Sequence, residues 1–196
     1  MNAERELIEA AKKGHVERVR LLLPISDPTA MESYALRAAS QNGHAECVRM
    51  LLPVSDAKAE ECSALRWAAL SGHVECVRLL LPASDPKAHK SYALRVAACN
   101  GHAECVRLLM TASGPLGEID GLLDPVIKGG HAKVAAALIG AEPRLLDAVD
   151  LSECLAAASK RGHHDLAAYV SSIIDQKEIL ATVPELTSRA SASARI

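Results

Sequence analysis

Phenylalanine is absent from this sequence, and one tryptophan and three tyrosines are the only large aromatics. A platform that stacks nucleobases needs rings on its surface, so single-stranded nucleic acid is a poor match. Neither charge is in excess. Lys and Arg total 22 against 24 Asp and Glu, a formal net charge of −2. That balance lacks the basic footprint of a nucleic-acid binder and the acidic block of a polyanionic tail. No aliphatic run approaches the ~20 residues of a membrane-spanning helix. The opening MNAERELIEAAKK is charged where a secretory leader would be apolar, so a cytoplasmic location is expected. Catalytic signatures are missing too: there is no G-x-S-x-G, no G-x-x-x-x-G-K, no H-E-x-x-H and no dinucleotide fingerprint. An enzyme is therefore the disfavoured reading, with no catalytic residue, cofactor, metal or small-molecule substrate expected.

What the sequence has is a repeat. Gly-His pairs begin at Gly14, Gly43, Gly72, Gly101 and Gly130, each 29 residues apart, and a sixth begins at Gly162, 32 further on. The surrounding residues match as well: SYALRAASQNGHAECVRMLLPVSD, CSALRWAALSGHVECVRLLLPASD and SYALRVAACNGHAECVRLLMTASG follow one another. A fixed period of this size is the signature of a solenoid. With 49% hydrophobic residues the chain can bury a core along its length.

Each unit reads as two short helices. The first spans about Ser63 to Ser71 and stops at Gly72, which accepts a left-handed conformation without a Cβ penalty. The second begins near His73, carries Glu75 in its first turn where a carboxylate suits the helix dipole, and ends with Leu79 to Leu81 before Pro82. Ser84-Asp85-Pro86 then reads as a turn. No segment alternates with period two, so strands are not expected.

Leu65, Ala68-Ala69, Gly72-His73, Glu75, Val77 and the Leu79–Leu81 run together resemble the ankyrin repeat family over about residues 3 to 176. The resemblance implies an all-α, ankyrin-like solenoid of about six helix-turn-helix repeats, near 1–30, 31–59, 60–88, 89–117, 118–146 and 147–176. The period is about four residues shorter than the family's ~33, and YALR or SALR stands in place of the TPLH opening. A plain turn is therefore expected where the family has a projecting finger. Repeat one, with Glu4, Arg5, Glu6, Glu9, Lys12 and Lys13 around Leu7, Ala10 and Ala11, reads as a charged cap. Repeat five is irregular, with TASGPLGEIDG before it and a first helix starting near Asp124 that holds Pro125. Residues 177–196, which include LTSRASASARI, read as a partly disordered tail.

Two ladders invite chemistry and are better read as structure. His15, His44, His73, His102, His131 and His163 occur once per repeat. Neighbouring repeats lie ~8–10 Å apart, whereas zinc bonds are ~2.0–2.1 Å long, so these rings cannot converge on a metal. Backbone groups are their expected partners. Cys47, Cys76 and Cys105 share one position on the packed face of the second helix and read as small buried thiols, which implies a reducing compartment. Glu46/Arg49, Glu75/Arg78 and Glu104/Arg107 are surface pairs at i,i+3.

One face remains informative. On a helical wheel, Leu65, Ala68 and Ala69 point to the core, which leaves Ser63, Arg66, Trp67 and Leu70 on the other side. The neighbouring repeats put Tyr34, Arg37, Ala38 and Gln41, and Tyr92, Arg95, Val96 and Cys99, at the matching positions. The ankyrin resemblance implies that these first helices line the concave surface, where partners bind. Trp, Tyr and Arg are also enriched at binding hot spots. The site expected from sequence is thus Tyr34, Arg37, Gln41, Arg66, Trp67, Leu70, Tyr92, Arg95 and Cys99. The competing reading has Arg37, Arg66 and Arg95 pairing with Asp27, Asp56 and Asp85. The expected function is a monomeric protein-interaction module or adaptor that binds neither nucleic acid nor membrane. The alternatives are a regulatory or inhibitory subunit of an enzyme, a bacterial effector delivered into a host cell, or a catalytic site around Asp120, Asp124 and Lys128.

Overall fold

The computed structural model describes residues 3–113 and 121–177. Its helices are α1 (Ala3–Lys12), α2 (Val16–Leu22), α3 (Ala30–Gln41), α4 (Ala45–Leu51), α5 (Ala59–Leu70), α6 (Val74–Leu80), α7 (Ala88–Cys99), α8 (Ala103–Ser113), α9 (Leu123–Lys128), α10 (Ala132–Ala141) and α11 (Leu151–Lys160). A last helix, α12, covers 164–177. No strand occurs among the described residues. The chain divides after Leu122 into two compact units.

In the first unit the helices form two layers. First helices α1, α3, α5 and α7 pack in succession, and second helices α2, α4, α6 and α8 do the same. The 29-residue period explains why. Leu7, Leu36, Leu65 and Leu94 are fully buried at one repeat position, and Val19, Val48, Val77 and Val106 at another. The alanines Ala10-Ala11, Ala68-Ala69 and Ala97-Ala98 are buried with them, and such small residues let first helices approach closely. In the second unit α9 packs against α10 and α11. The solenoid expected from sequence is the fold observed.

Each Gly-His pair is a helix stop with two hydrogen bonds. After α5, Gly72 N–H donates to Ala69 O at 3.3 Å and His73 N–H donates to Ala68 O at 2.9 Å. This pairing closes a helix around a residue in the left-handed region, and Gly72 sits there at φ +75°. The pattern recurs at Gly14, Gly43, Gly101, Gly130 and Gly162. The next helix starts at once, with the histidine as N-cap through its backbone carbonyl and no side-chain cap.

The connections between repeats depart from the expected plain turn. A single 3-10 turn continues α2, α4 and α6, over Leu23–Ile25, Leu52–Val54 and Leu81–Ala83, with proline near its start where no N–H is needed. Asp27, Asp56 and Asp85 then accept the backbone N–H two residues on, at 2.8–2.9 Å. Next comes a left-handed turn of three residues: Met31-Glu32-Ser33, Glu60-Glu61-Cys62 and His89-Lys90-Ser91, with φ between +46° and +61°. This conformation costs roughly 1–2 kcal/mol per non-glycine residue. Contacts across repeats offset part of it. Ser33 Oγ accepts Asp56 N–H at 2.8 Å, and Cys62 Sγ accepts Asp85 N–H at 3.2 Å. Only residues 63–70 of α5 are right-handed helix after the kink, close to the span read from sequence.

In α9, Pro125 is the third residue. Its missing N–H falls among those that a helix start leaves unbonded, so the helix survives and starts one residue before the expected Asp124. Asp150 caps α11 by accepting from Ser152 and Glu153 N–H at 2.9 and 3.1 Å. The segment 114–120 lies outside the described residues, as does the tail expected to be partly disordered over 177–196, except for Lys177, which ends α12.

Candidate functional site

The first helices α3, α5 and α7 each expose one large ring. Tyr34, Trp67 and Tyr92 are 36%, 36% and 39% accessible. Arg37, Arg66, Leu70 and Val96 are half-buried, and Gln41, Arg95 and Cys99 are exposed. Two residues placed on this face by the wheel are buried instead: Ser63 is 3% and Ala38 4% accessible. Ser63 shares its repeat position with Tyr34 and Tyr92, and Ala38 shares its with Trp67. A side chain of one or two heavy atoms stays below a surface that a ring at the same place reaches through.

The structure corrects the proposed pairing of arginines with Asp27, Asp56 and Asp85, because those carboxylates are turned onto backbone N–H groups. Arg37 instead forms an ion pair with Glu60 and lies 4.3 Å over the Tyr34 ring. Glu60 is also hydrogen-bonded to Glu32. That bond, then the like charge, raises the Glu32 carboxyl above its ordinary range, while the bond from Glu32 and the Arg37 guanidinium lower Glu60. Arg66 lies 5.1 Å over the Tyr92 ring and donates to the Glu60 backbone carbonyl at 3.2 Å. Its Nε is covered and has no acceptor. His89 meets Tyr92 edge-on at 5.4 Å and pairs with Glu61 at 2.8 Å. Among the described residues Arg95 has no ion-pair partner.

The histidine ladder is an inter-repeat staple. Nε2 of His44, His73 and His102 lies 3.0–3.1 Å from the carbonyls of Lys12, Gln41 and Leu70, each the last residue of the first helix one repeat earlier. A carbonyl can only accept, so Nε2 carries the proton. Each ring also covers the glycine of the repeat before it. A Cβ on Gly43 would stand 2.6–3.0 Å from the His73 ring. No group of three or more potential metal ligands occurs among the described residues.

The six cysteines form no disulfide. Cys47, Cys76 and Cys105 are buried on α4, α6 and α8. Burial, followed by the neighbouring Glu75 or Glu104, pushes the Cys76 and Cys105 thiols up to about 11, from an ordinary 9.0. The thiolate is the nucleophile, so these groups are expected to resist a disulfide reagent at pH 8 in the native state and to react once urea unfolds the chain. The unfolded chain loses these protons above pH 9 while the folded one keeps them to about 11. Stability is therefore expected to fall over that window. Prompt native labelling of all three would show that the packed layer opens freely.

On the second helices, Glu46/Arg49 and Glu75/Arg78 pair at 3.4 Å, Glu104 pairs with Arg107, and Arg49 also reaches Glu75 at 3.9 Å. Exposed pairs of this kind contribute ~0–1 kcal/mol each. A cavity of about 190 Å³ in the second unit is lined by Asp124, Lys128, Asp150, Glu153 and Cys154. There Lys128 Nζ closes onto Asp124 at 2.7 Å, and Asp120 lies outside the described residues. No described helix is long and apolar enough to cross a membrane.

Residues 7–90 match a family model described as ankyrin repeats (3 copies). No curated protein sequence matches the chain.

Proposed function

We propose that this chain, whose residues 7–90 match the ankyrin repeat family model, binds a partner protein through the exposed face of its first helices. Ankyrin repeats are in general protein–protein interaction modules. The observation that supports the assignment is the exposure of three rings, Tyr34, Trp67 and Tyr92, one on each of three successive first helices. Rings exposed on a rigid layer are costly in water unless something covers them, and they are the side chains that dominate hot spots. Trp67 with Leu70 serves as the apolar anchor, and Tyr34 and Tyr92 extend it along the stack. Gln41, Arg95 and Cys99 frame the face. The second helices, with their mutually satisfied Glu/Arg pairs, are left as the solvated side.

The test starts with affinity capture of a partner from the native cell. Trp67→Ala is expected to keep the helical circular dichroism and to weaken binding of that partner by about 2 kcal/mol, roughly 30-fold. Iodide should quench the Trp67 emission in the free protein and lose access to it in the complex. Undiminished affinity in the Trp67→Ala protein would move the site off this face.

A further inference from the structure

We infer that the docking face is selective for an acidic polypeptide segment, and that Arg66 and Arg95, not Arg37, read its carboxylates. The inference rests on the docking face proposed above and adds the chemistry of the partner. The three arginines occupy one repeat position but stand in different company. Arg37 is neutralised by Glu60, which lies 23 residues along the chain. The residue 23 positions after Arg66 is His89, which spends its ring on Glu61 and Tyr92. Arg66 therefore has no ion-pair contact: it keeps one backbone carbonyl, the Tyr92 ring, a covered Nε without an acceptor, and a charge interaction with Glu60 weaker than that of Arg37. Arg95 is exposed and has no ion-pair partner among the described residues.

The connection before α7 adds exposed Lys87 and Lys90, and its carboxylates face other groups than the arginines: Asp85 accepts from the Lys87 backbone N–H, and Glu61 pairs with His89. Repeats three and four thus present two arginines, Arg66 and Arg95, without an ion-pair contact on the helices that carry Trp67 and Tyr92, although the whole chain is close to neutral. A guanidinium offers a planar fork of donors that matches a carboxylate. Because α5 packs against α7, the two guanidinium-bearing helices lie ~8–10 Å apart. An extended polyproline-type peptide places every third side chain on one side, ~9 Å apart, so two acidic residues three apart can meet both arginines.

The probe is a capped nine-residue peptide with Glu at every third position and Pro between, compared with its Gln and Lys counterparts and with a twelve-nucleotide single strand. Trp67, the chain's one tryptophan, reports binding by its emission. The Glu peptide is expected to bind saturably, with affinity falling as salt rises. Arg66→Gln and Arg95→Gln should each raise its Kd at least ~5-fold, about 1 kcal/mol, and Arg37→Gln should change it less than ~2-fold. Equal binding of the Gln peptide, tighter binding of the oligonucleotide, no saturable response to the Glu peptide, or an Arg37→Gln loss as large as that of Arg66→Gln would each overturn the inference. The Trp67→Ala measurement on the captured partner reads the docking face separately. A loss there without any charge dependence would retain the face and reject the acidic partner.

Discussion

Leu80→Ala is expected to lower the unfolding free energy by about 2–5 kcal/mol. Leu80 is completely buried at the end of α6, at the position shared with Leu51 and Leu109, which are buried to the same degree. It packs in the second-helix layer, where α4 lies on one side and α8 on the other, so neither neighbour can collapse into the gap without pulling away from its own contacts. The cavity term adds to the lost transfer energy for that reason. Leu22 shares the repeat position in the terminal repeat and is 8% accessible. Leu22→Ala should cost less, because one side of that site already meets water. Urea unfolding followed by circular dichroism measures both. Equal losses at the two positions would mean that burial does not grade along the stack.

Gly72→Ala should cost about 1.5–3.5 kcal/mol, from two sources that can be separated. At φ +75° an alanine pays roughly 1–2 kcal/mol for the left-handed conformation. Its Cβ would also stand 2.4–2.8 Å from the His102 ring, which must shift and weaken its 3.0 Å bond to Leu70 O, a further loss of ~0.5–1.5 kcal/mol. Gly162 has the same φ of +75°, but a Cβ there meets nothing within 4 Å. Gly162→Ala is therefore expected to show only the conformational part. In the His102→Ala background, Gly72→Ala should shrink toward the Gly162 value. If the two glycine substitutions cost the same in the native background, the histidine is not wedged against the glycine and the staple has no steric component.

The exposed face shows why sequence pattern carries part of a site and not its chemistry. The helical wheel put Tyr34, Trp67 and Tyr92 on the accessible side, because position on a helix follows from the 3.6-residue turn alone. It also put Ser63 and Ala38 there, and both are buried. A wheel sorts directions and does not know how far each side chain reaches. The arginines went further astray. Their nearest acidic residues by repeat pattern were the turn aspartates, yet Asp27, Asp56 and Asp85 bind backbone N–H groups within two residues. Arg37 found Glu60 in the next repeat.

Helix ends, helix faces and the buried Leu, Val, Ala and Cys positions of the repeat could all be read from the amino acids in order. Each depends on interactions within about one helical turn: Gly72 and His73 bond back to Ala69 and Ala68, and the apolar stripe needs only the helix period. Tertiary structure alone decided the rest. His102 reaches a carbonyl 32 residues away, Cys62 holds an N–H 23 residues away, and Glu60 neutralises Arg37 but leaves Arg66 with its backbone carbonyl. The left-handed turns at Met31, Glu60 and His89 contain no glycine or asparagine to announce them. They persist where packing of one repeat on the next holds both ends of the connection in place. Those contacts depend on the distance between stacked helices, a quantity that appears only once the layers have packed.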